Sequence, residues 1–272
     1  MTTQKDYVLG TDPAELGRLG FQARLFADDT IALWKRAGFR DGNTILDVGC
    51  GPGFASRDLA GLIGPRGKVL AIDESQTYLD YINSIPTEPH MANIETFRGD
   101  VQSMNFAPSS LDGAYARWVL CFVANPEAVV ARVASALKPG ACFAVQDYAH
   151  YRALTWGPRR TMNARVMDAV AKSWEARGGD TMVGMKLPSI MERQGLEVID
   201  VRPLVRTGRP SDTIWQWPTS FFSIFLPKLV ASGDLTQAEL DAWMAEWETL
   251  SADPASLFIS PTMVEVVGRR RA

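Results

Sequence analysis

Cysteine is scarce: Cys50, Cys121 and Cys142 are the only three in 272 residues. An odd, widely spaced set fits neither a disulfide framework nor a zinc motif, and no metal is expected. A reducing, cytoplasmic setting is the simpler expectation. No apolar run reaches the roughly 18 residues of a membrane span, so no membrane partner is expected. The polar start, Met1 to Gly10, lacks the apolar core of a signal peptide. Excess charge is missing too, with 28 Lys and Arg against 31 Asp and Glu, a formal net charge of −3. That argues against a general nucleic-acid binder, which normally carries a basic face. Internal repeats and low-complexity tracts are also lacking.

What is present is an ordinary globular composition, 46% hydrophobic and 22% charged, long enough to bury a full core without staples. Pro13 to Ala37 has helical spacing, with Asp12 as N-cap, Pro13 in the first turn and Gly38 as the stop. Strands then alternate with helices. Apolar strands are predicted at Thr44–Val48, Lys68–Ile72, Ile94–Arg98, Leu111–Trp118 and Ala141–Gln146. Helices are predicted at Phe54–Ile63, Gln76–Ser84 and Pro126–Leu137, the last capped by Asn125. This pattern predicts an α/β fold, a doubly wound, mostly parallel sheet covered on both faces. Further on, helices are predicted at Arg160–Arg177, Val183–Gln194 and Thr236–Leu250, and strands at Leu196–Val205 and Leu257–Val267. Ser211–Leu229 is aromatic-rich and broken by Pro218 and Pro227. No Pro/Gly/Ser linker divides the chain, so residues 1–272 read as one domain. Residues 1–41 form a helical cover, 42–150 a core, and 151–272 a helical insertion with the last two strands of seven.

The informative segment runs Ile45-Leu46-Asp47-Val48-Gly49-Cys50-Gly51-Pro52-Gly53-Phe54. It joins an apolar strand to a helix through a tight turn. Glycines there allow close backbone approach of a ligand, and a helix start offers N–H groups. A dinucleotide fingerprint places its third Gly where this chain has Phe54, and Asp47 precedes the first Gly by two. A carboxylate at that place suits a ligand with a positive group better than a pyrophosphate. Asp47, Asp73, Asp100 and Asp147 all fall at predicted strand C-termini, where open α/β sheets bind ligands. Any one of them could instead cap the next helix.

On these residues the chain resembles class I S-adenosylmethionine-dependent methyltransferases of the ubiquinone/menaquinone-type small-molecule branch. The resemblance covers Asn43 to Tyr148 well and the rest loosely. It implies a Rossmann-like sheet and S-adenosylmethionine as cofactor. The turn, with Asp47, Gly49, Cys50, Gly51 and Gly53, would lie against it. Asp73, with Glu74 beside it, would take the ribose hydroxyls. Asp100 would accept from the adenine amino group, with Val101 beside the ring. Arg117 and Trp118 end the fourth strand, where a backbone carbonyl meets the methionine amino group in such enzymes. Tyr7 and Gln22 resemble residues that close over the cofactor. Leu137-Lys138-Pro139-Gly140-Ala141 matches the turn before the fifth strand.

Methyl transfer asks the protein chiefly to hold the acceptor in line with the S–CH3 bond, and needs a base only where the acceptor must lose a proton. His90 lies in a polar loop. His150 follows the fifth strand in Asp147-Tyr148-Ala149-His150-Tyr151, a loop expected to border the acceptor. His150 is therefore a candidate base, with Asp147 and Tyr148 as alternatives or acceptor-orienting groups. The acceptor half carries Trp156, Met162, Trp174, Met182, Met185, Trp215, Trp217, Phe221, Phe222 and Phe225. Most are expected in the core, and a few in a pocket suited to a small aromatic or lipophilic acceptor, as in secondary metabolism. Arg152, Arg159 and Arg160 could meet an acidic acceptor or form a solvated face. Trp243 and Trp247, four apart on one helix, are expected to pack or to form a homodimer. Competing readings are a non-catalytic S-adenosylmethionine-binding protein and a nicotinamide-dependent oxidoreductase. A nucleic-acid methyltransferase is disfavoured, because the strand-four position reads Ala116-Arg117-Trp118-Val119 rather than Asp/Asn-Pro-Pro-aromatic.

Overall fold

The computed structural model describes residues 13–272; Asp12 and Tyr7, singled out above, lie outside them. In chain order the elements are α1 (Pro13–Leu25), α2 (Ala27–Arg36), β1 (Thr44–Val48), α3 (Phe54–Ile63), β2 (Lys68–Asp73), α4 (Gln76–Ser84) and β3 (Asn93–Arg98). Then come β4 (Leu111–Arg117), α5 (Pro126–Ala136), β5 (Leu137–His150), β6 (Thr155–Gly157), α6 (Met162–Glu175) and α7 (Leu187–Arg193). The chain ends with β7 (Leu196–Leu204), β8 (Thr207–Gly208), α8 (Gln216–Ser232), α9 (Gln237–Ala252), β9 (Leu257–Ile259) and β10 (Thr262–Arg270).

Seven strands form one sheet in the order β3-β2-β1-β4-β5-β10-β7. The first five run parallel, and β10 is antiparallel to both its neighbours. Alternate side chains along each strand enter two different cores. Leu46, Ala114, Phe143 and Val266 join one, with Val129 of α5, Val166 of α6 and Phe222 of α8. Ile45, Tyr115, Ala144 and Val267 join the other, with Leu33 and Trp34 of α2 and Leu59 of α3. Period-two alternation between two buried faces explains why these strands read as near-continuous apolar runs. The chain turns from β1 to β2 on one side and to β4 on the other, so the ligand crevice of such a sheet opens beside β1.

Three predicted elements differ in detail. The first predicted helix is two, broken at Phe26 (φ −106°, ψ 11°), whose ring is fully buried edge-on against Trp118 and Trp217. The predicted aromatic break is instead the continuous helix α8. Pro218 sits in its first turn, where no N–H is needed, and Pro227 lies inside. An interior proline costs about 3 kcal/mol, which the burial of Phe222, Phe225, Leu226 and Leu229 offsets. The last predicted strand is split. Pro261 has no N–H, and Ser260 bonds back to Arg206 through both its N–H and its hydroxyl. β9 therefore joins β6 and β8 in a second, three-stranded sheet. Among the described residues no helix is long and apolar enough to cross a membrane, and no cluster of three or more His, Cys, Asp or Glu could hold a metal ion.

Candidate functional site

The Gly turn leaves β1 at its C-terminal end and is closed by its own backbone. Gly49, Gly51 and Gly53 all have positive φ, at 64°, 54° and 77°. A Cβ on Gly49 would stand 2.6 Å from Val119, whereas one on Gly51 would meet nothing within 4 Å. Gly51 is thus the open floor of a cavity of about 1050 Å³. The turn amides are already engaged. Cys50 N–H donates to the Ile72 carbonyl at 2.9 Å and Gly53 N–H to the Cys50 carbonyl at 3.0 Å. Gly51 N–H donates to Asp73 Oδ2 at 2.8 Å. A turn that cradles pyrophosphate must present such amides to the ligand; this one spends them internally.

Carboxylates from three successive strand ends border the same cavity: Asp47, Asp73 and Asp100. Asp47 is buried and receives the Ser56 hydroxyl at 2.5 Å. Burial raises its pKa to about 7, against the Ser56 hydrogen bond and the charge of Arg117. Asp73 accepts Ser75 N–H on Oδ1 and Gly51 N–H on Oδ2, each at 2.8 Å, and burial raises its pKa as well. Each of its oxygens keeps a lone pair for a ligand. Asp100 accepts Gln102 N–H at 2.8 Å. Turn cap and ligand contact, the two readings of these acids, are therefore compatible in one side chain. Glu74, Cys50, Val101, Arg117, Trp118 and Gln22 also line the cavity. Arg117 donates to Thr30 at 3.1 Å, and burial drives the Cys50 thiol pKa well up.

Beyond Trp118 the cavity becomes an aromatic chamber walled by Tyr148, Tyr151, Trp174, Trp217 and Phe221. Of the ten apolar candidates, Trp174, Trp217, Phe221 and Phe222 face it. Trp156, Trp215 and Phe225 are core, Met162 packs against that core, and Met182 and Met185 are exposed. A charged group not anticipated from sequence also lines this chamber. Arg18 is buried, pairs with Glu15 through Nε and Nη2 at 2.7 and 2.6 Å, and donates from Nη1 to Gln22 at 3.0 Å. The same Gln22 oxygen receives the Trp217 indole N–H at 2.8 Å. The i, i+3, i+7 spacing of Glu15, Arg18 and Gln22 was a visible signal that they share one helix face.

Several expectations are corrected. Asp147 does not border the cavity. It is fully buried and binds the N–H groups of Tyr148, Leu120 and Cys121 at 2.8, 2.9 and 3.2 Å. His150 is exposed and also absent from the cavity wall. Thr262 pairs with His150 and Met263 with Tyr148, so Ala149 is an extra, bulged residue. A bulge breaks the two-residue alternation that would have put Tyr148 and His150 on one face. Gly53 is off the wall, its Cβ position facing Ile82 at 2.5 Å. Arg152 pairs with Asp168 and Glu175, and neither it nor Arg159 and Arg160 reaches the cavity. Trp243 and Trp247 stack on each other at 5.5 Å inside the core, against Trp156. Of the two alternatives expected for them, packing is the one observed.

Residues 45–140 match the sequence family described as Methyltransferase domain. A demethylmenaquinone methyltransferase of Desulfitobacterium hafniense is 30% identical over 111 residues, 40% of this chain and 44% of that protein. An O-methyltransferase, cnsE, of Penicillium expansum is 24% identical over 178 residues, 64% of this chain and 59% of that one. An uncharacterized transposon protein of Streptomyces fradiae is 35% identical over 101 residues, 37% of this chain and 29% of its own length. The chain thus covers less than two thirds of each of these relatives. Among solved structures, phosphoethanolamine N-methyltransferase 2 of Haemonchus contortus, in complex with phosphomonomethylethanolamine and S-adenosylhomocysteine, superposes with a TM-score of 0.55 at 17% identity. The match covers 90% of this chain and 53% of that one, and it is a likeness of fold.

Proposed function

We propose that this chain, a member of the class I S-adenosylmethionine-dependent methyltransferases, transfers a methyl group from S-adenosylmethionine to a small aromatic or lipophilic acceptor. The observation that carries the reading is the division of one cavity into a carboxylate end and an aromatic end. Its volume of about 1050 Å³ lies just beyond the ~300–1,000 Å³ range of single-ligand sites. That leaves room for a cofactor and an acceptor together.

The residues present fit the cofactor. S-adenosylmethionine, when bound, supplies an electrophilic methyl group on a sulfonium. Asp47 would place negative charge near the cationic part of the ligand. Asp73 would offer its two remaining lone pairs to the ribose hydroxyls. Asp100 and Val101 would border the adenine, and the open floor at Gly51 would admit close contact. Two carboxylates at the turn, and amides spent inside it, weigh against a pyrophosphate and so against a nicotinamide dinucleotide. On the acceptor side the aromatic walls exclude water and orient a flat molecule. Such orientation accounts for up to roughly 7–11 kcal/mol of a barrier at best. His150 has no part in this reading.

Calorimetric titration with S-adenosylmethionine, S-adenosylhomocysteine and NAD tests it, with Asp73→Ala as control. Binding of the first two, lost in the variant, is the expected result. Binding of NAD without either sulfur compound would overturn the proposal.

A further inference from the structure

Polar groups at the aromatic end are few, and most are already engaged. Gln22 Oε1 is taken by Arg18 and Trp217, and Arg18 is held by Glu15. Two phenols are different. Tyr148 and Tyr151 are both buried and both line the chamber. Neither hydroxyl has a hydrogen-bond partner in the described protein, yet neither is among the unpartnered polar atoms sealed from open space. Their oxygens therefore open onto the cavity.

Their positions are fixed from several sides. The two rings meet edge to face at 5.0 Å and 89°. Trp118 stacks on Tyr148 at 6.1 Å and 23°. Trp174 lies 5.9 Å from Tyr148 and 4.8 Å from Tyr151. The bulge at Ala149 that turns His150 out is also what separates the two tyrosines in sequence. Burial pushes both phenols above their ordinary pKa. A protonated phenol offers its O–H as a donor, the role the chamber geometry favours for both. Two fixed O–H donors in an aromatic slot whose other polar groups, Arg18 and Gln22, are already engaged select for a ligand oxygen, because a buried donor left unpaired is costly.

We propose that Tyr148 and Tyr151 are the acceptor-anchoring pair, donating hydrogen bonds to a carbonyl or phenolate oxygen of a flat aromatic acceptor. The proposal rests on the methyl-transfer reading for the ligand's role as acceptor. The pair determines which acceptors enter and how they lie; it takes no proton.

The test uses two flat bicycles of similar size, chromone with a ring carbonyl and naphthalene without one. Their binding to the full chain saturated with S-adenosylhomocysteine is followed by tryptophan fluorescence. Chromone is expected to bind about tenfold more tightly than naphthalene, the scale of one or two hydrogen bonds. Tyr148→Phe and Tyr151→Phe should each reduce that preference roughly threefold to tenfold and leave naphthalene affinity unchanged; the double variant should abolish it. Naphthalene affinity in each variant reports whether the chamber is intact. Equal binding of the two probes to the wild type, or a preference that survives in the double variant, overturns the proposal. Failure of S-adenosylhomocysteine to bind would instead count against the methyl-transfer reading. The ratio of the two probes, measured without it, would still decide the anchor.

Discussion

Asp47 gives the sharpest quantitative consequence. Its carboxyl is buried with Ser56 as its hydrogen-bond partner, and burial raises its pKa from 3.8 to about 7. The folded state therefore holds this proton more tightly than the unfolded chain does. Stability from the group is fully present below about pH 3.8 and is lost as pH rises toward 7, because ionisation becomes free for the unfolded chain first. At about 1.4 kcal/mol per tenfold, the whole effect is about 4–5 kcal/mol, of which about 2–3 kcal/mol falls between pH 5 and pH 8. Asp47→Asn keeps the neutral form at every pH. Urea unfolding of both proteins at pH 5, 6, 7 and 8 should show the variant gaining on the wild type by that amount across the series. Taking the difference removes the other titrating groups, including Asp147, whose pKa burial raises to about 6. A cationic ligand reverses the balance by stabilising the carboxylate. S-adenosylmethionine should thus bind more tightly to the wild type as pH rises through 7; its thioether product, which loses the sulfonium but keeps the ammonium group, should share that rise only if Asp47 faces the ammonium. A stability difference that stays flat from pH 5 to pH 8 would refute the assignment of Asp47 as a buried acid held neutral by its surroundings.

Other outcomes follow from single contacts. Asp73→Ala removes both lone pairs proposed for the ribose and should weaken binding of S-adenosylmethionine and of its product alike, by roughly thirtyfold or more, measured by calorimetry. Asp147→Asn puts an amide against three backbone donors and should destabilise the fold by about 2–3 kcal/mol in urea. Gly53→Ala forces a Cβ to within 2.5 Å of Ile82 at φ 77° and should cost about 1–3 kcal/mol; an unchanged melting temperature would contradict that packing. His150→Ala should leave binding of both S-adenosylmethionine and chromone unaltered, since the side chain points away from the cavity.

What the sequence made legible was local. The Gly turn, the acid at each strand end and the Asn125 cap all depend on neighbours within a few residues. Alternating strands and helices likewise follow from short-range periodicity. The residues at the carboxylate end of the cavity were readable because one turn and three strand ends build them. The acceptor side was not. Tyr151 enters the cavity and His150 leaves it because of one bulged residue, Ala149, whose presence is set by pairing with Met263 and Thr262 more than a hundred positions away. Arg18 comes into play because α1 packs on α8. Pro227 reads as a helix breaker in isolation, and only the buried face of α8 reverses that reading.

Two local irregularities at the centre of the molecule have one cause. Trp118 holds a left-handed backbone at φ 51°, a conformation costing on the order of 1–3 kcal/mol for such a residue. Its N–H donates to the Gln146 carbonyl at 2.9 Å, which anchors the turn after β4 to β5. The conformation sends the indole between Tyr148 and Trp217, with centroids 6.1 Å from each. Phe26 meets the same two tryptophans edge-on at 5.2 and 5.1 Å, and that ring sits where the helical cover breaks. Aromatic pairs of this kind contribute about 0.5–1.5 kcal/mol each beyond their buried area. Four such contacts meet the cost of a strained residue and an interrupted helix. The break at Phe26 and the turn at Trp118 thus fasten the helical cover to the ends of β4 and β5. This joint stands where the carboxylate end of the cavity gives way to the aromatic chamber, so the packing that closes the fold also divides the site in two.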